Sequence, residues 1–183
     1  MKTRVFQSGY TLIELLTALS VMTTLLAMGI PVLGDLIENT RVQTGSRALS
    51  ESLSLARNEA VKRNTRVVMC KSRDGVRCDH GLSWEQGWIV FPDVNGNGLA
   101  DPGEAVIHRE MFGASSLRMA ANQPVADYVS YVPSGRTRKV SGAFQAGTFT
   151  ICSRTSGQTQ ARQVVINNVG RPRVSVASAG ACV

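Results

Sequence analysis

Two stretches of this 183-residue chain carry side chains whose type and spacing could do chemistry. The first is Asp93, Asn95, Asn97, Gly98, Asp101 and Glu104. Oxygen donors at positions 1, 3, 5, 9 and 12, with glycine at 6, follow the pattern of a calcium loop. A β-hairpin loop rich in Asn and Gly is the plain alternative, and no other metal or cofactor is expected. The second stretch is Gly170-Arg171-Pro172-Arg173. In an extended segment the two arginines fall on one side, about 7 Å apart, and each guanidinium can fork onto phosphate oxygens. Pro172 cannot donate to a strand ladder, so the segment belongs at an edge or in a loop. Arg136, Arg138, Lys139, Arg154 and Arg162 could extend the basic surface. His80 and His108 are scattered. No nucleophile elbow or phosphate-cradling glycine loop is present, so no catalytic residue is expected.

Charge placement sharpens the second site. The formal net charge is +7. Residues 80–127 carry two basic and six acidic side chains, whereas residues 128–183 carry seven basic and none acidic. An acid-free stretch that still contains strand-like apolar runs presents a face of one sign, which suits a polyanion; a solvated basic surface is the alternative. Composition excludes several other classes. Apolar residues make up 43%, too many for wholesale disorder. The 17 glycines show no triplet period, so a collagen is excluded. No repeat of 20–50 residues points to a solenoid or propeller.

The elements that must position these residues begin with an apolar N-terminus. Lys2 and Arg4 precede the run, and Leu15 to Leu33 carries no charge, long enough to span a bilayer. No small-residue cleavage site follows it. Gly9-Tyr10-Thr11-Leu12-Ile13-Glu14-Leu15 resembles the class III signal of type IV pilins and pseudopilins. The resemblance implies cleavage by prepilin peptidase after Gly9, removing residues 1–9 as a leader, with Tyr10 as the N-methylated first mature residue. Tyr10 stands where the family usually keeps Phe. It implies that Glu14 pairs with a neighbouring subunit's terminal amine, each buried charge being costly without the other. Pro31 stands where the family often keeps a helix-bending proline.

Val42, Leu49, Leu53, Ala56 and Ala60 recur at helical spacing, with Arg41, Arg47, Glu51, Arg57 and Lys62 between them. This pattern predicts one helix over residues 10–64, with a transmembrane half at 10–34 and an amphipathic half whose basic residues form a solvated face. Residues 65–183 read as a globular unit of short strands at 65–70, 87–93, 105–110, 127–133, 147–153, 162–170 and 173–178. The expected fold is α+β: a long helix covering one face of an antiparallel sheet. His108 falls in a strand-like run and reads as structural.

AVKRNTRVVMC, GWIVFPDVNGNGLADPGEAVI and VVINNVGRPRV resemble the GspH/FimT class of minor pseudopilins over nearly the whole chain. That class has the type IV pilin fold and includes minor subunits of type IV pili, DNA-uptake pilins and type II secretion pseudopilins, none of them enzymes. Gly170-Arg171-Pro172-Arg173 resembles the G-R-x-R motif of the FimT-type DNA-uptake pilins, near the C-terminus as in that subfamily. The resemblance implies a single-pass inner-membrane protein with a periplasmic domain that assembles into an extracellular pilus. It implies three kinds of partner: other major and minor pilins, prepilin peptidase, and double-stranded DNA taken up in natural transformation. A structural minor pilin that primes pilus assembly, or a type II secretion pseudopilin, are the alternatives. In an oxidising compartment four cysteines favour disulfides. Three pairings are possible. Cys70–Cys78, bridged by an Asp74-Gly75 turn, and Cys152–Cys182, pinning a terminus, are the preferred ones.

Overall fold

The structure is a computed structural model that describes residues 9–112, 117–155 and 160–182, without the side chains of residues 28–32, 179 and 182. Helix α1 spans Leu12–Arg63. It opens on a capping box. The Thr11 N–H and hydroxyl both donate to Glu14 Oε2 at 2.9 Å, and the Glu14 N–H donates to Thr11 Oγ1 at 3.4 Å. A Thr with Glu three residues on satisfies N–H groups that the first turn would leave orphaned. The helix ends at Asn64, whose φ of 51° turns the chain, after Lys62 and Arg63 in the last turn, where cations suit the helix dipole.

The chain divides into two compact units, residues 1–37 and 38–183. In the first, every described side chain from Gly9 to Ala27 is exposed, including Leu12, Ile13, Leu15, Leu16, Leu19, Val21, Met22, Leu25 and Leu26. A helix apolar on all sides lacks the polar face that suits one to water. Among the described residues no helix is long and apolar enough to cross a membrane. The side chain of Pro31 lies outside the described residues.

In the second unit the helix stripe read from the sequence is the core. Val42, Leu49, Leu53, Ala56 and Ala60 are buried, and a fully buried leucine contributes about 2 kcal/mol by transfer from water. They meet two four-stranded antiparallel sheets. One has the order β3-β2-β1-β5, from β1 (Arg66–Lys71), β2 (Trp88–Asp93), β3 (His108–Glu110) and β5 (Tyr128–Tyr131). The other has the order β4-β6-β7-β8, from β4 (Leu117–Ala121), β6 (Gly147–Ser153), β7 (Ala161–Ile166) and β8 (Pro172–Ala177). The central strands β1 and β2 are buried on both faces. Val67, Met69, Trp88 and Val90 join the helix core, while Val68, Cys70, Ile89 and Phe91 form a second cluster with Cys78, Ala100, Val106 and Tyr128. That is why both strands read as continuous apolar runs rather than alternating ones.

Three differences from the sequence reading stand out. There are two sheets, not one. Strand β4, Leu-Arg-Met-Ala-Ala, was not expected, because Leu, Met and Ala favour helix; its pairing with β6, Leu117 opposite Ser153 through Ala121 opposite Phe149, holds it extended. Strand β7 stops at Ile166, and residues 167–170 are a turn.

Cys70 and Cys78 form a disulfide with Cα atoms 5.6 Å apart. Cys152 is also disulfide-bonded, and the Cys182 side chain lies outside the described residues. Lys71 is buried and donates to the His80 carbonyl at 2.8 Å and to Asp127 Oδ1 at 2.9 Å, fastening the disulfide loop to the start of β5.

Two buried polar side chains behave oppositely. Gln145 accepts from the Ser130 N–H at 3.0 Å and donates to the carbonyls of Pro124 and Tyr128 at 2.9 and 2.8 Å. The Tyr131 hydroxyl is buried without a hydrogen-bond partner among the described residues, and that burial raises its pKa above the ordinary tyrosine value. Gln145→Ala should cost about 2–4 kcal/mol, since it strands several buried groups at once, whereas Tyr131→Phe should cost under about 1 kcal/mol or stabilise. Urea melts of the two variants beside the parent chain test the contrast.

Candidate nucleic-acid interface

The Gly170-Arg171-Pro172-Arg173 segment sits where the sequence placed it in the sheet, at an edge. Among the described residues strand β8 pairs only with β7, from Ile166 opposite Pro172 to Ala161 opposite Ala177. The connection is a tight turn closed by the Gly170 N–H donating to the Asn167 carbonyl at 2.9 Å. Asn167 Oδ1 then accepts from the Arg171 N–H at 3.2 Å. Arg171 and Arg173 are both exposed, and Arg173 lies opposite the exposed Val165, on the face of β7 away from the core.

A second turn holds the first. Residues 132–135 form a turn closed by the Gly135 N–H on the Val132 carbonyl at 2.8 Å. Gly170, at φ 77°, is buried against it; a Cβ there would collide with the Gly135 carbonyl oxygen and approach Tyr131 Cε1 at 2.9 Å. Gly135 is itself at φ 72°, and a Cβ on it would meet Arg57 Nε and Val61 Cγ2, each at 3.2 Å. Both positions combine a left-handed conformation with a crowded approach that only glycine meets without strain. Thr137 Oγ1 donates chiefly to the Gln145 carbonyl at 2.5 Å and lies 3.3 Å from the Asn167 carbonyl, at the side of the second turn. Exposed Arg136 follows one of the touching glycines and exposed Arg171 follows the other, so their backbones lie on adjoining turns.

The remaining basic residues divide. Arg138 is exposed and Lys139 half-buried. They lie on a hairpin in which the Lys139 N–H donates to the Ala143 carbonyl at 2.9 Å and Arg138 Nη1 to the Gly142 carbonyl at 3.0 Å. Arg162 lies opposite Val176 on β8, three residues from Val165, and so belongs to the opposite face of the sheet from Arg173. Arg154 is at the far end of the sheet, where β6 finishes, roughly 20 Å along the strands from the turn. It is committed: Nε donates to the Leu117 carbonyl at 3.0 Å and Nη2 to Glu85 Oε1 at 2.7 Å. Arg162 and Arg154 are therefore not gathered with Arg171 and Arg173.

Arg57 was read as part of a solvated helix face. Its Nε donates instead to the Gly135 carbonyl at 2.9 Å, so the helix fixes the supporting turn. Helical spacing alone gave no sign of this. Asn167 and Thr137 were likewise missed, although an Asn three residues before a glycine is a recognisable turn signal.

The oxygen-rich loop is occupied by its own N–H groups. Asp93 is buried, accepting from the Asn97 N–H on Oδ1 and the Gly98 N–H on Oδ2, both at 3.0 Å. Burial raises its pKa. Asp101 Oδ2 accepts from the amides of Asn95 at 2.8 Å and Asn97 at 2.7 Å, and these bonds hold its pKa below the ordinary range. Glu104 accepts from the Val94 N–H at 2.8 Å and the Asp101 N–H at 3.2 Å. Among the described residues no group of His, Cys, Asp and Glu is arranged to hold a metal ion. His80 and His108 lie apart from one another in the fold; His108, on edge strand β3, is 3.5 Å from Glu110.

In the N-terminal unit Gly9 and Tyr10 are exposed ahead of the helix, and Glu14 is engaged by Thr11. Sequence reading gave Glu14 an intermolecular partner and missed this local one, although a Thr-x-x-Glu spacing before an apolar run announces it.

The family described as Type II transport protein GspH matches residues 46–170. Among solved structures, the type IV minor pilin FimU of Pseudomonas aeruginosa is similar in two crystal forms. One has a TM-score of 0.55 at 19% identity, covering 78% of this chain and 92% of that one. The other has a TM-score of 0.51 at 18% identity, covering 75% and 94%. The minor pseudopilin EpsH of the Vibrio cholerae type 2 secretion system aligns at a TM-score of 0.48 and 10% identity, covering 76% of this chain and 98% of that one. No curated protein matches the chain by sequence. A long N-terminal helix leading into an antiparallel β unit, with the family match over residues 46–170, makes the chain a member of the GspH family, a minor pilin or pseudopilin of the GspH/FimT type.

Proposed function

We propose that this minor pilin binds extracellular double-stranded DNA through its phosphates, independently of sequence, for uptake in natural transformation. The observation that carries the reading is the interlocked pair of glycine turns. They join the turn that precedes exposed Arg136 to the one that leads into exposed Arg171 and Arg173 of edge strand β8, within a segment, residues 128–183, that has no carboxylate. Guanidinium groups on a fixed scaffold suit phosphate oxygens, and contacts of that kind position a duplex without reading its bases. Arg138 and Lys139 extend the surface on the neighbouring hairpin. A second reading is a structural subunit that primes pilus assembly or serves type II secretion. The matching family, Type II transport protein GspH, favours the secretion arm, and the basic edge would then be a subunit contact.

In either role the exposed apolar helix of residues 9–27 needs cover, which the inner membrane supplies before assembly and neighbouring pilins supply afterwards. The periplasmic unit then follows the anchor. Prepilin peptidase removes residues 1–9 and leaves Tyr10 as an N-methylated amine close to the Thr11–Glu14 capping box. On assembly Glu14 serves a neighbouring subunit's amine, and Pro31 weakens the helix ladder within the anchor.

Mass spectrometry of the membrane-extracted chain should show Tyr10 as the N-terminus; an intact Met1 would overturn the assignment of the processing site. Glu14→Ala should still be cleaved but should enter filaments poorly, measured as the pilus fraction sheared from cells. For DNA, the processed chain in detergent micelles should bind duplexes of unrelated sequence with log affinity falling by about 0.9 per neutralised phosphate for each unit of log salt. Arg171→Gln and Arg173→Gln should each weaken binding and reduce that slope by about one. Arg154→Gln should leave the slope unchanged and reduce stability instead, since it frees a buried Glu85. A double Arg171/Arg173 variant that binds DNA like the parent at moderate salt would pass the advantage to the structural reading.

A further inference from the structure

Phe144 is 61% exposed, the one exposed Phe, Tyr or Trp among the described residues of the second unit. An exposed phenylalanine on a loose loop would need no explanation. This one is held firmly. Its neighbour Gln145 is fully buried with three hydrogen bonds, and Phe144 forms a β-bridge with Arg138. The hairpin is closed by the Gly142 N–H on the Lys139 carbonyl at 2.9 Å. Its base is tied by Arg66 Nη1 on the Arg138 carbonyl at 3.2 Å and by the Val140 N–H on the Tyr128 hydroxyl at 3.1 Å. Residues opposite one another in a non-hydrogen-bonded or hydrogen-bonded antiparallel pair carry their side chains on the same face, with Cβ atoms about 5 Å apart. Phe144 therefore shares a face of the hairpin with Arg138, whose Nη1 also donates to the Gly142 carbonyl at 3.0 Å, with Lys139 next in sequence.

We infer that the 138–144 hairpin is a stacking site for unpaired bases of DNA, with Phe144 as the platform and Arg138 and Lys139 as phosphate partners. The inference rests on the DNA-binding reading above and adds a second mode to it. Aromatic platforms beside basic residues hold single strands without reading sequence, because every base offers a π-face. Bases inside a duplex are already stacked, so Phe144 finds partners only in single strands, frayed ends and overhangs. The arginines at the glycine turns suit the duplex backbone, which needs no aromatic platform. The hairpin is built before any ligand arrives, so little ordering entropy opposes binding.

The test uses the processed chain in detergent micelles at moderate salt, with two probes: a short single strand carrying 2-aminopurine, and a blunt duplex. The parent should bind both and quench the 2-aminopurine. Phe144→Ala should lower single-strand affinity about tenfold and abolish quenching while moving duplex affinity by less than about twofold; Phe144→Trp should retain both signals. Arg171→Gln with Arg173→Gln should lower duplex affinity more than single-strand affinity. Full single-strand affinity and quenching in Phe144→Ala would overturn the stacking site, as would an equal loss on both probes. Unchanged DNA binding with lost incorporation into filaments would also overturn it and make Phe144 a subunit contact. A parent that quenches the single strand but does not bind the duplex would overturn the duplex reading of the preceding section and leave the stacking site standing.

Discussion

One stripe of helix α1 carries the second unit. Leu49, Leu53, Ala56 and Ala60 have no exposure at all, and both sheets send their inner residues to them. Trp84, Trp88 and Phe149 close the space between the sheets through ring contacts of 5.1 and 6.3 Å. A small residue on the same side of the helix lets side chains of β4 reach the helix backbone: a Cβ on Gly45 would sit 2.8 Å from Leu117 Cδ1 and 3.1 Å from Met119 Cε. Native packing density leaves little room to shift such a contact, so the helix fixes where each sheet can lie. It also fixes the end of β5, through Arg57, and with it the turn that supports the basic edge.

What the sequence disclosed and what it withheld follow from the range of the interactions concerned. The helix stripe, the edge character of Gly170-Arg171-Pro172-Arg173 and seven of the eight strands depend on local periodicity and on the chemistry of proline and glycine, and these were legible. Strand β4 was not, because its residues prefer helix and only pairing with β6 overrides them. The division into two sheets is a matter of which edges meet, which no single stretch encodes. In the candidate site, the exposure of Arg171 and Arg173 came through from proline placement. The commitment of Arg154 to Glu85, 69 residues away, did not, nor did that of Arg57 to Gly135, 78 residues away. An arginine's neighbours in sequence do not say whether its guanidinium is already spoken for.

The acid-free segment illustrates the same point about charge. Counted along the chain, residues 128–183 are uniformly basic. In space Arg154 is neutralised by a buried carboxylate, Arg162 sits on the opposite sheet face from Arg173, and only part of the count is available as a surface. A second consequence of folding runs the other way. Gly98 of the acidic loop is close to the Val140 side chain, 2.8 Å from where its own Cβ would stand, so negative and positive segments that are well separated in sequence become neighbours. Long-range attraction for a polyanion depends on the summed field rather than on any one stretch.

The touching glycines also bear on how this surface could change or be moved. Gly170 and Gly135 stand 35 positions apart, yet Gly170 cannot take a side chain while the 132–135 turn stays where it is, and Gly135 cannot take one freely while Arg57 and Val61 of the helix stay where they are. The basic hairpin is thus half of a two-piece part. Transplanted alone onto another scaffold of this fold, it would arrive without the carbonyl that seats it. In descent, a side chain at Gly170 has to be met by a shift of the 132–135 turn, and one at Gly135 by a shift of Arg57 and Val61 on the helix. The freedom of the basic edge to vary is therefore set by a few ångströms around that turn and the helix rather than by the arginines it displays.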